Sequence, residues 1–285
     1  MLNTIDLHMH THFSDGKYSP SELLQLAAGI GLEVIAITDH DNANGARQAL
    51  PLASAVGIEL VPAVELTTTW PGLELPPGET DVDLLGYFID LDSAELKALE
   101  KTRTDDISQR LTDCCACLTA AGFPLTLEDV LTVNPYLPSL TAAIFAAQRK
   151  GYAGTWDAGH NLVMECWRQV RPAQGAEIGA MIAAIHAAGG VAVLAHPAAI
   201  AWPPGLIQAE QVAELAAMGL DGLEVYHHRN NEGARLNLLA LAQQFKLVVS
   251  GGSDEHGWWK SRLGTLPVTA EMVAALRARA RQETS

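Results

Sequence analysis

Basic side chains are scarce in this sequence. The 285 residues include 18 Lys and Arg against 33 Asp and Glu, which gives a formal net charge of −15. Such a surface repels the phosphates of long nucleic acids and of anionic membranes, so we expect neither among the partners. A small anionic substrate would have to be attracted by a local positive centre.

Cysteines and long apolar runs are also few. Cys114, Cys115 and Cys117 lie together and Cys166 stands apart, a spacing that indicates neither a paired zinc motif nor a disulfide framework. We therefore interpret all four as small buried hydrophobic residues. No stretch approaches the roughly 20 apolar residues of a membrane span, and residues 1–6 lack the character of a signal peptide. We expect a cytoplasmic protein.

Apolar residues make up 48% of the chain, and most fall in short runs separated by helical patterns. The runs predict seven strands, at residues 5–10, 34–37, 60–64, 82–89, 191–195, 223–226 and 247–250. Helices are predicted at 19–28, 178–188, 209–218 and 234–245. Strand–helix alternation of this kind is typical of an α/β protein with a parallel barrel or a doubly wound sheet.

The alternation is interrupted between residues 92 and 172. Helical patterns cover 95–120, 126–131 and 141–150, and a connection rich in Gly and Trp follows around Trp156 and Gly159. An excursion that leaves one strand and returns before the next predicts a helical insertion over one face of a barrel. We therefore divide the chain into a barrel, residues 1–91 and 173–285, and an insertion, residues 92–172.

Ionisable residues occur at the ends of the predicted strands or, for Asp83, within one. They are His8, His10, His40, Glu65, Asp83, His196, His227, His228, Asp254 and His256. Because the carboxyl ends of the strands converge on one face of a β/α barrel, these side chains would meet in one pocket. His8 and His10 point to the same side of their strand and can share one ion. Mixed imidazoles and carboxylates suit Mn²⁺, Zn²⁺ or Fe²⁺, so we predict a metal site.

Two further positions allow two interpretations each. Ser14-Asp15-Gly16 is a common turn sequence, but its place in the loop after the first strand favours Asp15 as a ligand. In His196-Pro197 the proline could simply end the strand, but an apolar strand with one imidazole at its tip is better explained by coordination. We include both residues in the predicted site.

Several short motifs follow one another in order along nearly the whole chain. They are Asp6-Leu7-His8-Met9-His10-Thr11, Ser14-Asp15-Gly16, Ala36-Ile37-Thr38-Asp39-His40-Asp41, Val64-Glu65, Leu84-Leu85-Gly86-Tyr87, Gly189-Gly190-Val191-Ala192-Val193-Leu194-Ala195-His196-Pro197, Gly222-Leu223-Glu224-Val225-Tyr226 and Gly252-Ser253-Asp254-Glu255-His256. As a set they resemble the polymerase and histidinol phosphatase (PHP) family, in particular its small cytosolic phosphoesterases.

The resemblance implies a distorted seven-stranded (β/α)7 TIM-like barrel with three metal ions. Mn²⁺ is our first choice of metal because oxygen-rich mixed ligands suit it, and Zn²⁺ or Fe²⁺ are the alternatives. By position, the first ion would be held by His8, His10, Glu65 and Asp254, the second by Glu65 and His196, and the third by Asp15, His40 and His256. The sequence departs from the family pattern twice. Asp83 stands where many relatives have His, and Pro138-Ser139-Leu140-Thr141 replaces a stretch that contains basic residues and His.

Closely spaced divalent ions activate a bridging water and neutralise the oxygens of a phosphoryl group. They would also reverse the field of an acidic protein within the pocket. We therefore predict phosphoester hydrolysis by direct attack of a metal-bridging hydroxide. His227 or His228 would protonate the leaving oxygen, the alternative being an ordinary exposed pair of histidines.

The branch of the family that the sequence resembles includes enzymes that act on nucleoside 3′,5′-bisphosphates and on short 5′-phosphorylated RNA. From this resemblance we predict that the substrate is a nucleoside 3′,5′-bisphosphate such as pAp, which loses its 3′-phosphate. Candidates to bind it are Asp15, His40, Lys101, Arg103, Asn134, His160 and Arg229. The first alternative is a 5′-to-3′ exoribonuclease on short 5′-phosphorylated oligonucleotides. Histidinol-phosphate phosphatase and a non-catalytic PHP module are the others. The sequence leaves the oligomeric state open.

Overall fold

The computed structural model describes residues 4–70, 82–170, 177–200 and 207–283, which form an α/β fold. The strands in these ranges are β1 (Ile5–Asp6), β2 (Val34–Ala36), β3 (Glu59–Val61), β4 (Ala63–Thr68), β5 (Val82–Tyr87), β6 (Val191–Leu194), β7 (Gly222–Tyr226) and β8 (Val248–Gly251). The helices are α1 (Pro20–Gly29), α2 (Asn44–Ala53), α3 (Ala94–Ala120), α4 (Leu127–Leu131), α5 (Leu140–Arg149), α6 (Trp156–Trp167), α7 (Ile178–Ala187), α8 (Pro197–Ile200), α9 (Ala209–Ala217), α10 (Glu232–Phe245) and α11 (Ala270–Glu283). None of these helices is long and apolar enough to cross a membrane.

The described strands are arranged in two sheets. One has the order β1-β2-β3 and is parallel. The other has the order β4-β5-β6-β7-β8. Isolated parallel bridges between Met9 and Glu255 and between His40 and Glu65 connect the two sheets. The predicted strand at 60–64 is divided into β3 and β4 at Pro62, which has no N–H to donate to a ladder.

Strand β5 is antiparallel to both of its neighbours, so the prediction of uniformly parallel strands is wrong here. Parallel neighbours need a crossover connection, usually a helix, and the sequence at 69–81 is rich in Pro and Gly instead. The pairing sets Thr67, near the carboxyl end of β4, opposite Asp83, near the start of β5. Asp83 therefore reaches the same end of the sheet as the other predicted ligands.

Apolar side chains cover both faces of the strands. Leu84 belongs to a cluster that also receives side chains from α1, α2, α7, α9 and α10. Leu85 belongs to a second cluster, to which α11 contributes Val273 and Leu276. Successive strand residues point to opposite faces, so strands covered on both sides need the nearly continuous apolar runs seen in the sequence.

Helices α3 to α6 share a hydrophobic cluster of their own, which includes Leu111 and Val163. The predicted connection around Trp156 is wrong, because this segment forms helix α6, whose N-cap Thr155 accepts a hydrogen bond from the Ala158 N–H. Gly159 does not break the helix. A Cβ at this position would lie only 3.0 Å from Ile144 on α5, so glycine permits close packing of the two helices.

The cysteines differ from the prediction in one pair. Cys117 on α3 and Cys166 on α6 form a disulfide, although 49 residues separate them. A spacing of this length carries no sequence signal, since it depends on how the two helices pack. Cys114 and Cys115 are free and buried, as predicted. Burial raises the pKa of the Cys114 thiol to about 12 and that of Cys115 to about 11.

Candidate metal centre

The side chains predicted as ligands lie close together beyond the ends of the strands. Four groups each offer ligand atoms that lie within 4.8 Å of one another: His8 with His10 and Glu65; His10 with Asp15, His40 and His256; His40 with Glu65 and Asp83; and His227 with His228 and Asp254. His196 adjoins them through Glu65. The structure thus places the predicted ligands near one another, with His227 and His228 beside them.

The Glu65 carboxylate lies at the middle of this arrangement and is fully buried. Its Oε2 lies 3.1 Å from His8 Nε2, 3.3 Å from His10 Nε2 and 3.5 Å from His40 Nδ1. Its Oε1 lies 3.1 Å from His196 Nε2. A carboxylate that presents both oxygens to separate imidazoles has the placement of a ligand shared between two ions.

Asp254 also directs its two oxygens at different imidazoles and shares His8 and His10 with Glu65. Its Oδ1 lies 3.2 Å from His10 Nε2 and 3.5 Å from His8 Nε2, while its Oδ2 lies 3.3 Å from His227 Nε2. Asp254 has φ 56° and His196 has φ 31°. Non-glycine residues in this left-handed region are strained, and such strain is concentrated at functional sites.

Asp15 faces the imidazoles, so its Ser-Asp-Gly segment does more than form a turn. Asp15 Oδ1 lies 3.1 Å from His256 Nε2 and 3.9 Å from His10 Nδ1. The Thr141 hydroxyl on α5 donates to Asp15 Oδ2 across 3.2 Å. Burial would raise the pKa of Asp15, but the positive charges of His256 and His40 lower it well below its ordinary value.

The field of the carboxylates raises the pKa of partly buried imidazoles. Burial alone would lower the pKa of His40, but Glu65 and Asp15 raise it to about 9. Burial also opposes the charged form of His256, whose pKa Asp15 and Asp254 raise to about 10. A field that retains protons in this way attracts divalent cations, which take the place of those protons when they bind.

Two buried ring nitrogens support the same conclusion. His10 Nε2 and His40 Nδ1 face carboxylate oxygens but make no hydrogen bond within the described residues. A buried polar atom without a hydrogen bond costs about 1–3 kcal/mol, so such atoms are rare unless a ligand satisfies them. The donor set, imidazole nitrogens with carboxylate oxygens, fits Mn²⁺, Zn²⁺ or Fe²⁺.

Glu224 in β7 supports two ligands and was not predicted as a site residue. It is fully buried, its Oε1 lies 2.9 Å from His8 Nδ1, and its Oε2 accepts a hydrogen bond from the His196 N–H across 2.7 Å. Burial would raise its pKa, but His8 and His227 lower it. A charged residue inside the apolar run 223–226 was the sequence signal that could have identified it.

Two other buried carboxylates fix the loops that carry ligands. Asp39 accepts hydrogen bonds from the Thr11 N–H at 2.7 Å and from the Ser14 hydroxyl at 2.6 Å, which holds the loop that leads to Asp15. Asp6 accepts from the Ser253 N–H at 2.8 Å, next to Asp254. Both residues occur in the sequence motifs, but their partners become visible only in three dimensions.

Cavities open on both sides of the ligands. One of about 280 Å³ is lined by His40, Asp83 and Arg103, and Arg103 Nε donates to Asp41 Oδ1 across 3.1 Å. Another of about 500 Å³ is lined by Asp254 and His256 together with the predicted substrate residues His160 and Arg229. Helices α5 and α6 contribute residues to both cavities, and α3 contributes residues to the smaller one.

Two predicted substrate residues have structural contacts instead. Lys101 is 77% exposed, lies 2.6 Å from Asp105 one helical turn away, and does not line either cavity. Asn134 is buried and donates to the Ser14 carbonyl oxygen, and it thereby connects the insertion to the loop of Asp15. The position of Lys101 gives no support to its predicted role in substrate binding, whereas Asn134 also lines a cavity of about 220 Å³ together with Asp15.

His227 and His228 occupy different environments. His227 is fully buried against Asp254, whereas His228 is partly exposed and lines the larger cavity. Burial lowers the pKa of His228, with His227 and Arg262 adding to the effect, to about 4. His228 is thus the member of the pair that a bound substrate can reach.

The PHP domain family model matches residues 6–154, just over half of the chain, and the chain therefore belongs to this family of phosphoesterases. The resemblance seen in the motifs is confirmed. A structure assigned to the metal-dependent phosphoesterases, from Bifidobacterium adolescentis, is 29% identical and covers 97% of this chain and 96% of its own, with a TM-score of 0.83.

Two relatives with nearly the same sequence identity to this chain have different activities. A 5′-3′ exoribonuclease of Haemophilus influenzae is 29% identical over 90% of this chain and 93% of its own length. A 3′,5′-nucleoside bisphosphate phosphatase of Chromobacterium violaceum is 28% identical over 90% of this chain and 88% of its own length. These identities support a phosphoesterase but do not separate the two substrates.

Proposed function

We propose that the protein is a metal-dependent phosphatase that removes the 3′-phosphate of nucleoside 3′,5′-bisphosphates such as pAp. The observation that carries the proposal is the buried Glu65 carboxylate, whose two oxygens face four imidazoles. The relative from Chromobacterium violaceum supports the choice of substrate. We also propose a fold for the strands as a whole: the two isolated bridges between the sheets close them into a distorted seven-stranded barrel.

The proposed centre holds three divalent ions, with Mn²⁺ as our first choice. Its ligands are His8, His10, Asp15, His40, Glu65, Asp83, His196, Asp254 and His256. When bound, divalent ions supply a nucleophilic water and neutralise phosphoryl oxygens. Asp83 Oδ2 lies 3.7 Å from His196 Nε2, where a carboxylate can take the place of the imidazole found in many relatives.

In this proposal His228 donates the proton to the leaving oxygen, and the negative charge of the bound substrate raises its pKa above the low value of the empty cavity. His228 lines the cavity beside Asp254, whereas His227 is buried behind that carboxylate and positions it. We expect His228→Asn to slow hydrolysis of substrates with poor leaving groups, because these need protonation, and to spare good leaving groups such as p-nitrophenol. Equal rates for wild type and His228→Asn on a poor leaving group would contradict this role.

The second candidate is a 5′-to-3′ exoribonuclease on short 5′-phosphorylated RNA, favoured by the Haemophilus influenzae relative. Phosphate release from pAp and nucleotide release from a short 5′-phosphorylated RNA, measured on the Mn²⁺-loaded protein, separate the two. We expect the higher kcat/KM for pAp. A strong preference for the RNA would overturn the phosphatase proposal, and activity on neither, but on histidinol phosphate, would favour the third alternative.

A non-catalytic PHP module is the remaining alternative. It is disfavoured because the predicted ligand positions keep imidazole or carboxylate side chains and the structure brings them together. Metal analysis of protein purified without chelators tests this directly. Protein free of transition metal that also fails to bind added Mn²⁺ would support the module.

A further inference from the structure

Three cationic side chains line the cavity of about 500 Å³ that opens on Asp254 and His256. Arg229 follows β7, and Lys260 and Arg262 lie in the loop after β8. All three are exposed, and in the described part of the chain none of them forms an ion pair with a carboxylate. We call these three residues the basic wall of the cavity.

Ion pairing separates the basic wall from several other cationic side chains of the protein. Arg47 pairs with Glu100, Lys97 with Asp92, and Lys150 with Asp129. In a chain of net charge −15, carboxylates to pair with are plentiful. Cations that stay unpaired together in one cavity are therefore available to an anion from solution.

The position of the basic wall relative to the metal ligands is also informative. Arg229 and Arg262 line the same cavity as His228, Asp254 and His256. Their charges therefore lie at one side of the candidate centre, in the same cavity as Asp254. Leu140 and Thr141, which line this cavity from α5, add no charge.

Two tryptophans complete the same cavity. Trp156 of α6 and Trp259 lie with ring centroids 5.4 Å apart and perpendicular, and Trp259 is 59% exposed. An exposed indole beside cationic side chains offers a surface on which a nucleobase can stack, which is worth a factor of about ten or more in affinity. The cavity volume also lies within the usual range for small-molecule sites.

We infer that this cavity binds the part of the substrate that does not react: the basic wall binds the second phosphate of a nucleoside bisphosphate, and Trp259 stacks on its base. The inference rests on the proposed function and specifies it further. It assigns discrimination between a bisphosphate and a monophosphate to Arg229, Lys260 and Arg262, two of them in the loop after β8. Binding of this part of the substrate involves no covalent bond.

The direct test compares pAp with adenosine 3′-monophosphate, which differ only in the 5′-phosphate. For Arg229→Ala, Lys260→Ala and Arg262→Ala we expect kcat/KM on pAp to fall about tenfold each, since a charge-assisted hydrogen bond is worth about that factor. The value for adenosine 3′-monophosphate should change less than about twofold. Lys97→Ala, which removes an exposed cation paired with Asp92, is the matched control and should change neither.

Equal losses on both substrates, or no loss on either, would overturn the inference. Binding provides a readout that does not depend on hydrolysis: isothermal titration calorimetry with AMP or adenosine. We expect wild type to bind AMP at least tenfold more tightly than adenosine and Arg262→Ala to lose that difference. Trp259→Ala should weaken both ligands, and Trp259→Phe should restore them.

The two readouts separate this inference from the proposed function. If wild type binds AMP selectively but releases no phosphate from pAp, the proposed function fails and the subsite stands. If wild type hydrolyses pAp but the alanine variants keep the full preference for pAp over adenosine 3′-monophosphate, the proposed function stands and the subsite is wrong.

Discussion

At the scale of single residues, the candidate centre depends on side chains that touch its ligands as well as on the ligands. One buried carboxylate, Glu224, contacts the ring of His8 and the backbone of His196. A contact of this kind fixes the ring orientation and leaves the opposite nitrogen, His8 Nε2, directed at Glu65. We therefore expect a change at Glu224 to act on the affinity for the metal, and on catalysis only through the metal.

We predict that Glu224→Gln weakens metal binding by about 10–100-fold, the usual effect of removing such an orienting contact. Titration of the metal-free protein with Mn²⁺, followed by metal analysis, measures this affinity. Glu232→Gln, an exposed glutamate in the first turn of α10, is the control and should bind like wild type. Unchanged affinity in Glu224→Gln would show that Glu224 does not position the ligands.

Asp83 is the second residue with a specific expectation. Its carboxylate stands beside His196 and Glu65, where many relatives carry an imidazole. We predict that Asp83→His raises the number of ions retained after dialysis and that Asp83→Asn lowers it, because the amide is a poorer ligand than either. Full retention of metal by Asp83→Asn would place Asp83 outside the centre.

At the scale of elements, two helices of the predicted insertion are joined by a covalent bond that the sequence did not indicate. The Cys117–Cys166 disulfide links α3 to α6, while Cys114 and Cys115 stay reduced beneath them. Closing a loop of this length stabilises a folded chain by about 4 kcal/mol in the chain-entropy model.

We predict that protein purified and denatured without reductant shows two reactive thiols in a colorimetric thiol assay, and four after reduction. In the native protein at pH 8, Cys114 and Cys115 should not react, because burial raises their pKa values far above that pH. Four reactive thiols in the denatured, unreduced protein would show that the disulfide does not form.

The elements also show what the sequence could and could not predict. Apolar runs and capping signals located most strands and helices, including the Ser19 and Glu22 capping box of α1. The direction of strand β5 was harder to predict. Its antiparallel pairing with β4 follows from a connection that lacks a helical pattern, and the apolar run at 82–89 does not itself indicate the direction of the strand. Helix α6 was missed because Gly and Trp suggested a loop, although packing against α5 requires the glycine.

The sequence also indicated the candidate ligands better than the residues that support them. Ligand residues are polar side chains at the ends of apolar strands, and this contrast is visible in a single sequence. The roles of Glu224 and of the exposed loop around Trp259 depend on contacts between segments that are distant in the sequence. Lys101 was predicted to bind substrate from its position in the chain, but a helix surface has an outer face as well, and Lys101 lies there.

At the scale of the whole molecule, the candidate centre links stability to pH. The pKa values of His40 and His256 in the folded protein, about 9 and about 10, lie above the ordinary value of 6.5. Raised pKa values of this kind contribute stability that is complete below pH 6.5 and lost as the pH rises toward 10. Metal binding has the opposite dependence, because it requires deprotonated imidazoles.

We predict that the melting temperature of the metal-free protein falls between pH 6.5 and 9.5, and that saturation with Mn²⁺ removes or reverses this fall. Thermal unfolding monitored by circular dichroism at several pH values, with and without metal, measures both effects. A gap between metal-loaded and metal-free melting temperatures that narrows as the pH rises would contradict the assignment of these histidines to the centre.

The most direct test of the central claim is anomalous diffraction from crystals soaked in Mn²⁺. We predict anomalous peaks within about 2.5 Å of the Glu65 and Asp254 oxygens and of the imidazoles around them, a distance typical of metal–ligand bonds. Crystals that show Mn²⁺ only elsewhere, while Glu65 keeps its direct contacts with His8 and His196, would contradict the account.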